Sequence, residues 1–501
     1  MEQPEHTDAT VPCGISGLDD ILRGGFPEHC LSLISGTPGT GKTTLAMQFL
    51  LAGAERGERC LYVTLSETTS EILKVARSHG WNLSNISIVE LVPSERNLST
   101  EAQLTVFNPS ELELGETTEA MIAAVDKHRP ARLVLDSLSE LRLIAQSSLR
   151  YRRQVLALKQ FFSGRLCTVL MLDDKTGGVE DDHLQSIAHG VVTLEQAANQ
   201  FGAERRRLRV NKMRGVSFRG GFHDFSIRRG GLDVFPRLVA AEHVAEFEEE
   251  NLPSGNAQLD RLLGGGLPAG TSTLLLGPAG TGKSSVATQF AVAAAARGQR
   301  SALFVFDENI GTFRSRSRKL GIGVDAAMQR ELITIQQVDP AELSAGEFAT
   351  VVRRAAEGKD RYGVPAKLII IDSLNGYLNA MPEEKFLTAQ LHELLAFLGQ
   401  QSVATIMTVT QSGMVGSMNS PVDTTYLADN VLLFRFFEAA GWVRRALSVV
   451  KKRNGHHERT IRELDMDANG IKIGEPLSEF HGILTGVPSY VGRDGSLMGK
   501  K

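Results

Sequence analysis

The chain has 501 residues, 42% hydrophobic and 22% charged, an ordinary globular composition with length enough for two large domains. Its net charge of −4 excludes a global basic field that would recruit nucleic acid or an anionic membrane. Cys13, Cys30, Cys60 and Cys167 all lie in the first half without CxxC spacing, which argues against a disulfide framework or zinc site and fits reduced thiols.

The opening MEQPEHTDATVPCG is acidic and polar, unlike a secretory signal, so a cytoplasmic protein is expected. SGLDDILRGGFP (16–27) and the apolar strand CLSLISG lead into Gly36-Thr37-Pro38-Gly39-Thr40-Gly41-Lys42-Thr43-Thr44, which fits GxxxxGK[ST]. An apolar helix, TLAMQFLLAGAERG, follows. The strand CLYVTLSET (60–68) then ends in an acidic cluster, RLVLDS (132–137) ends at Asp136, and VNKMRG (210–215) is a late basic strand.

The series then recurs. AQLDRLLGGGLP (257–268) and STLLLG precede Gly277-Pro278-Ala279-Gly280-Thr281-Gly282-Lys283-Ser284-Ser285, which opens 241 residues after Gly36 (277 − 36). SVATQFAVAAAARG, ALFVFDEN (302–309), KLIIIDS (367–373) and VKKRNG (450–455) follow in the same order. The offset stays between 236 and 241 (372 − 136 = 236), so the chain is a tandem duplication. The joint is expected near AAEHVAEFEEENLPSG (240–255), giving domains 1–240 and 241–501. VATQFAVAAAA (286–296) is too short to span a bilayer and reads as the buried helix after the loop. Continuously apolar strands alternating with helices predict an α/β fold in each half, a mostly parallel sheet covered by helices, with the ligand at the carboxyl ends of the strands.

In each loop the glycines let backbone N–H groups turn toward phosphates at the positive end of the next helix. Lys42 and Lys283 are expected at the β- and γ-phosphates of ATP, and the Thr43 and Ser284 hydroxyls on Mg²⁺. Asp136 and Asp372 end apolar strands, where each can hold that ion through water. A water-positioning carboxylate is expected from Glu67 in the first half and from Asp307 or Glu308 in the second. The two pockets differ here, because Ser66 stands where the second carries Asp307.

These motifs together resemble the KaiC family of tandem RecA-type P-loop ATPases, from about residue 12 to residue 490. The resemblance implies two RecA-like NTPase domains assembled as a homo-oligomer, a double-ring hexamer with ATP between neighbours. Lys212 and Arg214 would then reach the neighbour's pocket in the first ring, Lys451 and Arg453 in the second, and Ser78 is counted with the nucleotide-binding residues. The family pattern has a Glu-Glu pair at Ser66-Glu67 and at Asp307-Glu308, so slow hydrolysis with a role in assembly is expected of the first pocket. The family also autophosphorylates a Ser-Thr pair before the last strands of its second domain. The matching stretch is Asp423-Thr424-Thr425-Tyr426-Leu427-Ala428-Asp429, which makes Thr424 and Thr425 the candidate acceptors.

The leading expectation is an ATP-driven signalling ATPase with Ser/Thr autokinase activity, a protein partner and no timekeeping role read from these residues. The alternatives are a DNA-dependent motor or recombinase, for which no added DNA-binding module stands out, and a nucleotide-sensing scaffold with little turnover. RRRLR (205–209) reads as solvated or interfacial, FRSRSRKL (313–320) as an exposed helix face, His456-His457 as loop histidines, and the tail from 489 as mobile.

Overall fold

The computed structural model describes residues 9–91, 109–175, 182–197, 202–243, 250–379, 387–411, 425–484 and 489–491. The chain divides into two compact units, residues 1–237 and 238–501. Thr424, residues 244–249 of the expected joint and residues 492–501 of the tail lie outside the described residues, while the start of the tail expected to be mobile, Ser489–Tyr490, is a strand paired antiparallel with Phe480–His481.

In the first unit the elements are β1 (Leu31–Gly36), α1 (Lys42–Glu55), β2 (Cys60–Thr64), α2 (Thr69–His79), β3 (Ile86–Glu90), α3 (Pro109–His128), β4 (Arg132–Asp136), α4 (Leu138–Ala145), α5 (Ser148–Phe162), β5 (Thr168–Asp174), α6 (Asp182–Ile187), β6 (Gly190–Ala197), β7 (Arg205–Met213), β8 (His223–Arg228) and β9 (Gly231–Phe235). They form one sheet in the order β9-β8-β7-β6-β1-β5-β4-β2-β3. Strands β1 to β6 pair in parallel. Strands β7 to β9 extend the sheet antiparallel.

The second unit runs β10 (Ser272–Gly277), α7 (Lys283–Ala296), β11 (Arg300–Val305), α8 (Ile310–Lys319), α9 (Val324–Gln329), β12 (Ile333–Gln337), α10 (Ala345–Glu357), β13 (Ala366–Asp372), α11 (Leu374–Asn379), α12 (Leu387–Gln400), β14 (Ala404–Thr410), β15 (Asn430–Ala439), β16 (Trp442–Lys452), β17 (Arg462–Asp467) and β18 (Gly470–Pro476). Its sheet order, β12-β11-β13-β14-β10-β15-β16-β17-β18, repeats that of the first unit. The expected α/β architecture is therefore present twice, each parallel sheet carrying an antiparallel extension.

Strand side chains alternate between two cores, as a pleated sheet covered on both faces requires. Ile34, Tyr62 and Val134 pack with Phe49 of α1, while Leu33, Leu61 and Leu135 pack on the opposite face with Tyr151 of α5. The apolar run 286–296 lies in α7 with Val286, Phe290 and Ala294 buried. RRRLR opens β7, where alternation buries Leu208 and leaves Arg207 and Arg209 exposed, with Arg206 and Arg207 paired to Glu204 and Glu195. The four cysteines are free thiols, and burial raises Cys60 to about 11 and Cys167 to about 12. Among the described residues no helix is long and apolar enough to cross a membrane.

Candidate functional site

Both P-loops join the central strand of their sheet to the next helix, Gly36–Lys42 between β1 and α1 and Gly277–Lys283 between β10 and α7. The last residue before each helix is a left-handed glycine, Gly41 at φ 97° and Gly282 at φ 99°, a conformation that side chains rarely adopt. A threonine braces each turn: Thr40 Oγ1 donates to the Thr37 carbonyl and Thr281 Oγ1 to that of Pro278, both at 2.8 Å. Thr37, Pro38 and Gly39 are exposed, as are Ala279 and Gly280, while Thr44 and Ser285 point into the fold.

In the first pocket Lys42 is buried and donates to the carbonyls of Gly36 and Thr37, each at 2.9 Å. Its ammonium also forms a 2.5 Å ion pair with Asp174, the last residue of β5, which lies opposite Gly36. Thr43 Oγ1 donates to Asp136 Oδ2 at 3.0 Å, and the buried Tyr62 hydroxyl donates to the same oxygen. Burial pushes the Asp136 carboxyl up, and the Tyr62 and Thr43 hydrogen bonds pull it back. Glu67 follows a turn fixed by its own N–H donating to Thr64 Oγ1 at 2.9 Å. Its carboxyl is raised by burial first and then by Asp136, and its buried Oε2 has no hydrogen-bond partner among the described residues. Ser66 is exposed. Asp173 is held by Arg142 at 2.8 Å.

In the second pocket Lys283 donates to the carbonyls of Gly277 at 2.8 Å and Pro278 at 2.7 Å. The residue opposite Gly277 is Thr410, so the strand position of Asp174 supplies no carboxylate here. Burial pushes the Lys283 ammonium down to about 8, against the pull of Asp372. Lys283, Ser284, Asp307, Glu308 and Asp372 line one cavity of about 450 Å³. Ser373 donates to Asp307, and Thr408 Oγ1 donates to Asp372 Oδ1 at 2.5 Å. Arg316 holds Glu308 at 2.7 Å and donates to Ser285 Oγ at 3.3 Å.

The basic residues late in each repeat lie elsewhere. Lys451 Nζ donates to the carbonyls of Thr425 at 3.0 Å and Ala428 at 2.7 Å, and Arg453 pairs with Asp429 at 2.9 Å. Asp429 in turn accepts from Ser272 N–H at 3.0 Å, at the first residue of β10, whereas the P-loop begins at the last. A strand rise of about 3.3 Å per residue sets those ends about 16 Å apart. Lys212 and Arg214 turn likewise to carbonyls at the end of α6, Lys212 to Gln185 at 2.8 Å and Arg214 to Ser186 at 3.3 Å. A β-bulge precedes both lysines, Asn211 being the extra residue in β7 and Val450 in β16, and bulges re-aim side chains. Ser78 is exposed on α2 and donates to the Val75 carbonyl.

Arg316, Tyr62, Asp173 and Asp174 were not singled out by motif. Arg316 sits in the stretch read as an exposed helix face, and it turns inward instead. The pair Asp173-Asp174 could have been found by setting CTVLMLDD (167–174) against VATIMTVT (403–410) in the two repeats.

The sequence comparisons follow the same division of the chain. The family model described as "ATPase: KaiC" matches residues 11–239 and again 252–478. The circadian clock oscillator protein KaiC of Thermostichus vulcanus is 27% identical over 504 residues, covering 98% of this chain and 94% of its own. That of Synechococcus elongatus is 28% identical over 492 residues, covering 95% and 91%. Circadian clock protein KaiC3 of Synechocystis is 26% identical over 495 residues, covering 95% and 94%. With two matched domains, two P-loops and two identical strand orders, this chain belongs to the KaiC ATPase family.

Proposed function

We propose that the protein is a Mg²⁺-dependent, ring-forming homo-oligomeric ATPase that works as a signalling switch, with ATP held between protomers and autophosphorylation at Thr424 or Thr425. The observation that carries this reading is the separation of each unit's P-loop from its late basic residues. Lys451 and Arg453 sit at the far end of β10 from Lys283, so within one protomer they are remote from the phosphates. Arg453, with a side chain 60% exposed, can turn from Asp429 to a neighbour, where a cation supplied in trans stabilises charge on the transferring phosphoryl group, and Lys451 would have to leave its two carbonyls to do the same.

Thr43 with Asp136, and Ser284 with Asp372, are the residues that would hold Mg²⁺. The 3.0 Å Thr43–Asp136 hydrogen bond sets a hydroxyl beside a carboxylate, a hard-oxygen donor set suited to that ion. Bound there, the ion neutralises phosphate charge. Asp307 or Glu308 orients water toward the γ-phosphorus and takes its proton. In self-phosphorylation the Thr424 or Thr425 hydroxyl of a neighbouring protomer replaces that water.

In the first unit Ser66 offers no carboxylate, and Asp174 already occupies the Lys42 ammonium. That favours nucleotide binding with slower turnover, Glu67 being the carboxylate at hand. A nucleotide-dependent ring surface would then dock a protein partner.

Mixing two variants in a Glu67→Gln background tests the shared site. Lys283→Ala and Arg453→Ala protomers should each be nearly inactive and should recover ADP release when co-assembled. Mixed rings without recovery would overturn the trans assignment. Phosphopeptide mapping after incubation with Mg-ATP should find phosphothreonine at 424 or 425, and its absence removes the autokinase part.

A further inference from the structure

The two units differ in the connection from α3 to β4 in the first and from α10 to β13 in the second. In the first, three residues lie between His128 at the end of α3 and Arg132, the β4 residue paired with Cys60 (132 − 128 − 1). In the second, ten lie between Glu357 at the end of α10 and Leu368, the β13 residue paired with Ser301 (368 − 357 − 1). The added chain brings Lys359, Asp360, Arg361 and Tyr362 to the rim of a cavity of about 680 Å³. That cavity shares no lining residue with the nucleotide cavity.

Arg300 lies at its base, 2% exposed, and donates to Asp360 and to the Val364 carbonyl at 2.5 Å. Its Nε is buried and has no hydrogen-bond partner among the described residues. Arg354, Lys359 and Arg361 are exposed around it. The Arg361 guanidinium donates to the Tyr362 hydroxyl, and the Arg300 and Arg361 guanidiniums each lie 4.7 Å from the Tyr362 ring centroid. Four cations line the cavity, but Arg300 is engaged by Asp360 and Lys359 by Glu357 at 3.0 Å, so among the described residues Arg354 and Arg361 are the two cations of the cavity without an ion-pair partner. A concave site lined by one sign of charge focuses potential, and arginine forks match phosphate oxygens.

We infer that this cavity is an anion site of the second unit, separate from the P-loop, that takes a small soluble molecule carrying two or more phosphate charges. The guanidiniums on the Tyr362 ring leave recognition to the phosphates rather than to base stacking. The proposal goes beyond the ATPase reading and stands whether or not the ring forms.

Calorimetric titration of the full chain with inorganic pyrophosphate tests it. A Lys42→Ala/Lys283→Ala background removes the P-loop contribution. The expected result is one pyrophosphate per chain, bound at least about tenfold more weakly after Arg354→Gln/Arg361→Gln and lost after Arg354→Glu/Lys359→Glu/Arg361→Glu. With the P-loop lysines intact, the same substitutions should leave ATP affinity at the two P-loops unchanged, which also reports that the variants fold. No binding, or equal binding in the substituted chains, would overturn the proposal. So would an oligothymidylate that outcompetes pyrophosphate at equal phosphate concentration, because the surface would then serve nucleic acid.

Discussion

Asp174 closes a 2.5 Å ion pair on the P-loop lysine Lys42, and the same strand position beside Lys283 is Thr410. ATP binding at the first loop must therefore displace an internal anion, while the buried Lys283 ammonium of the second loop donates to two carbonyls and has no ion-pair partner among the described residues. Asp174→Asn should tighten ATP binding at the first unit about fivefold, the order of a partly buried ion pair. The same substitution should lower the melting temperature of the nucleotide-free protein, because Lys42 loses its counter-ion. Opposite signs in the two measurements check the assignment; weaker ATP binding would contradict it.

The Lys283 ammonium, lowered to about 8 by burial, makes the second pocket pH-sensitive. Above that pH the empty pocket loses a proton that bound phosphate restores, so ATP affinity should fall about tenfold per unit. The unfolded chain keeps that proton to higher pH, so nucleotide-free stability rises with pH across the same window. Calorimetry in buffers of different ionisation enthalpy should show proton uptake on binding at pH 9, abolished by Lys283→Arg.

Arg316 fixes Glu308 at 2.7 Å and touches Ser285 beside the P-loop. Arg316→Ala should slow second-unit turnover about tenfold while leaving ATP affinity nearly unchanged, and Arg316→Lys should recover part of the loss. A fall in affinity alone would assign Arg316 to nucleotide binding.

His223 is a structural switch of a different kind. Its Nδ1 accepts from Arg237 N–H at 2.9 Å and its Nε2–H donates to the Arg219 carbonyl at 3.0 Å, which needs the neutral ring. Burial lowers it to about 4. The unfolded chain thus binds a proton that the folded one refuses between roughly pH 6.5 and 4, and about 3 kcal/mol of first-unit stability is lost across that window on acidification. Denaturant titrations from pH 7 to 4 should show this slope in the wild type and a flatter one in His223→Gln.

The P-loops, the strand-end aspartates and the duplication were legible because each is written in contiguous residues. The parallel sheets were legible from apolar strands of constant spacing. Tyr62 was not, since it meets Asp136 only through strand pairing across residues distant in sequence, and Asp174 stands out only when the two repeats are set side by side. Arg316 was hidden by composition: FRSRSRKL reads as a solvated helix face, yet Phe313 and Ser317 are buried and carry Arg316 toward Glu308. The bulges before Lys212 and Lys451 leave no mark in the sequence because they are properties of pairing.

ADP release by single-pocket variants decides most directly whether the second pocket carries most of the turnover. ADP release by full-length Glu67→Gln should stay close to that of the wild type. Asp307→Asn/Glu308→Gln, still assembled and still binding ATP, should lose most of it. Loss of turnover in Glu67→Gln with little change in the double variant would instead place hydrolysis in the first pocket.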